Sequence, residues 1–198
     1  MKKRLKLNIF WLVLLLAIYG VLYAAYSSGL VNLFIDNIIV TIGINIILAV
    51  GLNLVIGFSG QFSLGHAGFM AIGAYCGSLF AMNNPTMGGF FTGIVVGILL
   101  SSVVALVVGI PTLRLKGDYL AIATLGVAEI IRIAIVNMES ITNGPSGLFG
   151  IPSFVNWPLV YGFVIVTTLI TVNYIHSGAG RVTMGIRDDE IAAESMGV

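Results

Sequence analysis

Charge is scarce in this sequence: of 198 residues 9% are charged and 58% hydrophobic. A water-facing domain carries roughly a quarter charged residues, so a soluble globular chain is excluded. The formal net charge is +1 and the few basic residues form no stripe, which removes the electrostatic case for nucleic acid. There is one cysteine, Cys76, inside an apolar run, so no disulfide framework and no Cys-based metal spacing is present. Neither His66 nor His176 has a second ligand candidate nearby, and no metal is expected. The chain has no G-x-x-x-x-G-K-[ST] phosphate loop. Gly178 and Gly180 do not begin a dinucleotide fingerprint, because Thr183 stands at the third glycine's place. No nucleophile–base pair appears either, so neither an enzyme nor a resident cofactor is expected.

What is there is a series of long apolar runs. About 20 apolar residues cross a bilayer core, and the length accommodates about six crossings, at residues 7–26, 38–58, 62–82, 90–110, 119–137 and 158–175. The expected fold is all-α, a polytopic membrane helix bundle with a short cytoplasmic coupling helix, forming a single domain over 1–198. The basic start could belong to a cleaved signal peptide, but its apolar run is as long as a full span, which favours a retained first helix. Lys2, Lys3, Arg4 and Lys6 place the N-terminus in the cytoplasm under the positive-inside rule. Six crossings then put Arg114, Lys116, Arg181 and Arg187 on the same side. Connections 27–37, 83–89 and 138–157 hold no lysine or arginine. Asp36-Asn37 is a candidate start for the second helix, Pro111 a stop for the fourth, and Pro158 suits a first turn.

Inside lipid, close helix contact depends on small residues. Gly93, Gly97, Ser101, Ala105 and Gly109 recur every four residues, as do Gly73, Gly77 and Ala81. Both stripes predict tightly packed helices. Between two apolar runs lies Gly51–Phe69, rich in glycine and polar groups. Two readings stand: a helix break at membrane depth, of the kind transporters place at their pathway, or a tight cytoplasmic hairpin at 57–61. Asn45, Asn53, Ser63 and His66 are candidate pathway residues, with interhelical hydrogen bonding as the plainer role. Glu129 and Arg132, three apart on a helix, can pair with each other, and as ionisable groups in a span they are further candidates. Residues 142–152 form a turn-rich outward loop.

After the sixth run, Gly178, Gly180 and Gly185 are expected to break helical continuity, and residues 188–196 favour a short helix. Asp188, Asp189 and Glu190 would lie in its first turn, facing the positive end of the helix dipole. Gly197 would stop it. Ala192, Ala193 and Met196 offer a small apolar surface flanked by Glu190 and Glu194. Such a helix suits docking into a partner's groove, or it is a solvated linker.

The run Gly180-Arg181 through Glu190-Ile191-Ala192-Ala193-Glu194-Ser195-Met196-Gly197 resembles the EAA-type coupling loop of ABC importer permeases. Gly51–Phe69, Leu115–Arg132, and Gly144-Pro145-Ser146-Gly147-Leu148 with Gly150-Ile151-Pro152 resemble the branched-chain amino-acid permease family, in its LivM-type branch. The resemblance runs in order from about residue 38 to the end. It implies a permease subunit of an ABC importer in the bacterial inner membrane, moving leucine, isoleucine or valine. It also implies the partners: a second related permease, two ABC ATPase subunits that hydrolyse the ATP, and a periplasmic substrate-binding protein. Arg181, Arg187, Asp188, Asp189, Glu190, Ala192, Ala193, Glu194, Met196 and Gly197 would then couple to the ATPase. Family members continue through more helices after this loop, so the chain is expected to be the N-terminal part of a longer permease, unable to transport alone or with its partners. Related permeases for urea, amides or sugars are the nearest alternative. An ion-coupled transporter or channel using Glu129, Arg132 or His66 is the alternative from another class.

Overall fold

The computed structural model describes the backbone of residues 2–112, 114–115, 117–195 and 197; the side chains of residues 2–10, 12, 190, 191 and 194 are outside that description. Long helices dominate: α1 (Lys2–Ser27), α2 (Leu33–Asn53), α3 (His66–Asn83), α4 (Met87–Thr112), α5 (Asp118–Asn137) and, after the single turn α6 (Glu139–Thr142), α7 (Trp157–His176). Two short helices close the chain, α8 (Gly178–Asp188) and α9 (Glu190–Ser195). No strand occurs among the described residues.

Among the described residues, four stretches are long and apolar enough to cross a membrane: Leu33–Phe58, Met87–Thr112, Asp118–Asn137 and Trp157–His176, with mean hydropathies from 1.7 to 2.7. Val13–Ser27 is a shorter apolar stretch. The protein is thus a membrane-spanning helical bundle. Its outer surface carries large apolar side chains, such as Val21, Leu106 and Ile170, each at least 64% exposed, because lipid tails, not water, surround it.

Several boundaries differ from expectation. α2 begins at Leu33, not after Asp36-Asn37; Asp36 lies in its first turn and accepts a hydrogen bond from Tyr26 Oη. That bond occupies the carboxylate in tying α1 to α2 instead of capping a helix. α4 runs through Pro111 to Thr112; the proline removes the donor to the carbonyl of Val107, and the helix ends one residue later. α3 starts at His66, four residues later than the apolar run, because 59–65 form no regular element.

The small-residue stripes meet. A Cβ on Gly93 would stand 3.0 Å from Gly77 Cα, and one on Gly97 3.3 Å from Gly73 Cα. Ser101 Oγ reaches Phe69 O at 3.5 Å, and Ala81 is 2% exposed. α3 and α4 are therefore antiparallel and in backbone contact, as small residues allow. Gly109 has nothing near its Cβ position. The stripe outruns its partner there, because α3 does not extend that far.

A second association joins α2 to α7, where a Cβ on Gly43 would overlap Val160 Cγ1 at 2.3 Å. α1 is fastened to α7 by aromatic rings: Trp157 stacks on Tyr26 (centroids 5.0 Å apart), packs at 5.2 Å from Tyr19, and Tyr161 Oη donates to Leu15 O at 2.8 Å. Trp157 and Pro158 open α7, with the proline in the first turn as its fixed φ favours.

Candidate functional site

The break follows from how α2 ends. Its last turn widens into a π turn over Leu54–Phe58, with Ser59 N donating to Leu54 O at 3.1 Å. π turns are rare and concentrate at functional sites. Asn53 lies over this turn so closely that a Cβ on Gly57 would meet its Oδ1 at 2.4 Å. At Gly60 the backbone takes φ +68, a left-handed conformation that glycine adopts without strain.

The residues after Gly60 then run back along the bundle. Leu64 N donates to Thr124 Oγ1 at 3.0 Å, and a Cβ on Gly65 would meet Thr124 O at 3.1 Å. Gly68 packs on Ala128, where an added Cβ would be 2.9 Å from Ala128 Cα. α3 thus starts level with Thr124, about 10 Å inside the start of α5 at 1.5 Å per residue. By the α3–α4 register, His66 stands level with Val104, and α4 continues about 12 Å beyond that point. The non-helical backbone 59–65 is therefore flanked in depth by helices on either side. Residues 61–65 connect the π turn to the start of α3.

Three of the polar candidates gather here. Ser63 Oγ accepts from Gly65 N at 3.3 Å. His66 Cε1 would lie 3.5 Å from a Cβ on Gly51, and its Nε2 is sealed from solvent with no hydrogen-bond partner among the described residues. Asn53 covers Gly57, as above. Asn45 does not join them; it is exposed, two turns further along α2. Glu129 and Arg132 also stand apart, on a face of α5 that leaves them 51% and 66% exposed. They pair in a two-pronged fork, Arg132 Nε to Oε2 at 2.9 Å and Nη2 to Oε1 at 2.5 Å. Thr124 was missed by sequence reasoning. A helical threonine usually bonds back to its own helix, as Thr124 also does to Ala121 O, and nothing in the sequence marks a second bond across 60 residues.

The closing segment departs from expectation. Gly178, Gly180 and Gly185 do not break the helix; all three lie within α8. Ser177 caps it, its Oγ accepting from Gly180 N at 3.1 Å. Gly180 is required by proximity: a Cβ there would sit 2.2 Å from Tyr174 O at the end of α7. The expected helix over 188–196 is shorter, Glu190–Ser195, and Asp188 ends α8 instead of starting α9. Asp189 is the cap, its Oδ1 accepting from Ala192 N at 3.0 Å. Gly197 has φ +84, as a helix stop does. Met196, and with it Lys116 of the basic set, falls outside the described residues, as do the side chains of Glu190 and Glu194.

α8 and α9 together form a shallow groove of about 420 Å³, lined in part by Arg181, Asp188, Asp189, Ala192 and Ala193. Five of the coupling candidates thus converge. Arg187 does not: it reaches across to α2, where its Nη1 donates to Gly57 O at 3.1 Å. Arg187 thus joins the groove wall to the break, and the chain beyond the break leads to the sealed imidazole. Among the described residues no group of three or more histidine, cysteine or acidic side chains is placed to hold a metal ion.

The family described as the branched-chain amino acid transport system permease component matches residues 34–198. The chain is similar to the protein named high-affinity branched-chain amino acid transport system permease protein LivM of Escherichia coli (strain K12), at 34% identity over 66% of this chain and 38% of that protein. It is also similar to the protein of the same name from Salmonella typhimurium, at 37% identity with the same coverage. The chain thus spans about two fifths of the length of these relatives. No solved structure matches it.

Proposed function

The chain belongs to the family of branched-chain amino acid transport permeases, and we propose that it serves as membrane-spanning permease of an ABC importer for leucine, isoleucine or valine. As a permease it belongs to a transport class, not an enzyme class, and ATP is hydrolysed on partner subunits. The partners are two ATPase subunits, a second related permease and a periplasmic binding protein that delivers the amino acid. The chain sits in the bacterial inner membrane with its N-terminus and the α8–α9 groove in the cytoplasm, where the positive-inside rule places Arg114, Arg181 and Arg187.

The observation that carries this reading is the groove. Ala192 and Ala193 give it an apolar floor, Arg181 and Asp188 a charged rim, and Ser177 and Gly180 hold α8 against the end of α7. An apolar centre with a charged rim suits a protein partner. The pathway runs beside the break, with Asn53, Ser63 and His66 near it, and α5 turns Glu129 and Arg132 towards a neighbouring permease instead of lipid. Charged groups facing hydrocarbon cost several kcal/mol, so this face is expected to be covered.

The test is co-purification. Ala193→Arg fills the groove floor with a charged side chain, and the ATPase subunits should no longer be retained with the permease. Retention equal to the unaltered protein would remove the docking role. Transport in vesicles driven by a pH gradient without ATP would favour an ion-coupled carrier instead.

A further inference from the structure

Arg187 borders the groove yet turns away from it. Its Nε and Nη2 donate to Asp188 Oδ1 at 2.9 and 2.7 Å, and Asp188 lines the groove. Its Nη1 meanwhile donates to the carbonyl of Gly57 in the π turn. The side chain's methylenes lie over Gly60, where an added Cβ would meet Arg187 Cγ at 2.4 Å. One guanidinium therefore bonds the groove wall and the broken end of α2 at once. The chemistry fits that position. Carbonyls at a helix end lack intrahelical donors, and that end carries the negative pole of the helix dipole, which favours a cation. Arginine's rigid fork can serve two acceptors simultaneously, which lysine's single ammonium does less well. Beyond this bond the chain passes directly into 59–65 and the sealed imidazole of His66.

We infer that Arg187 is a positioning residue that transmits movement of α8 and α9 to the π turn and the non-helical segment 59–65. The inference rests on reading the groove as the ATPase-docking surface, and the experiment separates the two. In a permease of the relatives' full length carrying these residues, assembled with its ATPases, Arg187→Ala should leave ATPase retention unchanged and ATP hydrolysis within about twofold. Amino acid taken up per ATP hydrolysed should fall by about tenfold, and Arg187→Lys should recover part of it. Loss of the ATPase together with uptake would make Arg187 part of the docking face and overturn the inference. An unchanged ratio of uptake to ATP would overturn it as well. Should Arg187→Ala fail to accumulate, Arg187→Lys carries the test: it keeps a cation beside the Gly57 carbonyl but loses the fork that bonds Asp188 at the same time. Uptake per ATP should then fall severalfold, and an unchanged ratio would overturn the inference.

Discussion

Two joints in this bundle are built from glycine in opposite ways. Between α3 and α4, glycines on both helices remove side chains so that backbone meets backbone, Gly93 on Gly77 and Gly97 on Gly73. Between α2 and α8, Gly57 and Gly60 make room for long side chains, Asn53 and Arg187. The first joint is a continuous surface with no polar tie except Ser101 to Phe69 O. The second is a point contact through one guanidinium. Packed surfaces resist displacement because any shift loses many contacts at once, whereas a single flexible strut permits a hinge. If Arg187 transmits movement as inferred above, α2–α8 is the joint that moves and α3–α4 the one that holds its geometry.

The comparison can be broken most decisively at the packed joint. Gly97→Leu should force the helices apart, at a cost of at least 1–3 kcal/mol typical of overpacking, and lower the yield of monodisperse protein after detergent extraction. An undiminished yield would mean that α3 and α4 are not in backbone contact. An effect of similar size belongs to the ion pair on α5. Glu129→Gln alone strands Arg132 in a span, which costs about 2.5–3.5 kcal/mol on insertion scales for an unpaired charge. The double variant with Arg132→Gln should recover membrane accumulation; recovery of accumulation without uptake would assign the pair a transport role. At the α7–α8 contact, Gly180→Ala should lift α8 from Tyr174 O and reduce ATPase retention while leaving bundle stability nearly unchanged. Equal losses of stability and retention would mean that α8 is part of the rigid body. The smallest effect belongs to Thr124→Val, which removes one hydrogen bond to Leu64 N. It should cost about 1 kcal/mol, read as a small fall in melting temperature that Thr124→Ser does not share.

Much of this was legible in the residues. The apolar runs follow from composition and length, and the α3–α4 contact from a spacing of four between small residues. The Glu129–Arg132 pair followed from a separation of three on a helix, since local geometry alone brings such side chains together. The closing glycines misled because their helix-breaking tendency is worth only about 1 kcal/mol each, less than the capping by Ser177 and the packing of α8 on α7 contribute. The glycine-rich stretch 51–69 stood out in the sequence, but the contacts of Thr124 with Leu64 and of Arg187 with Gly57 and Gly60 could not be read in advance, because these partners are distant in sequence.

The sequence by itself determined that this chain lives in a membrane, that its interior is packed through small residues, and that its family is that of branched-chain amino acid permeases. Those properties depend on composition, period and motif, which a linear string contains. Only the tertiary structure decided that the break in α2 and the closing helices are physically linked, and that Arg187, not a groove residue, makes the link. That outcome depends on bringing residue 57 beside residue 187, and no local rule spans that distance.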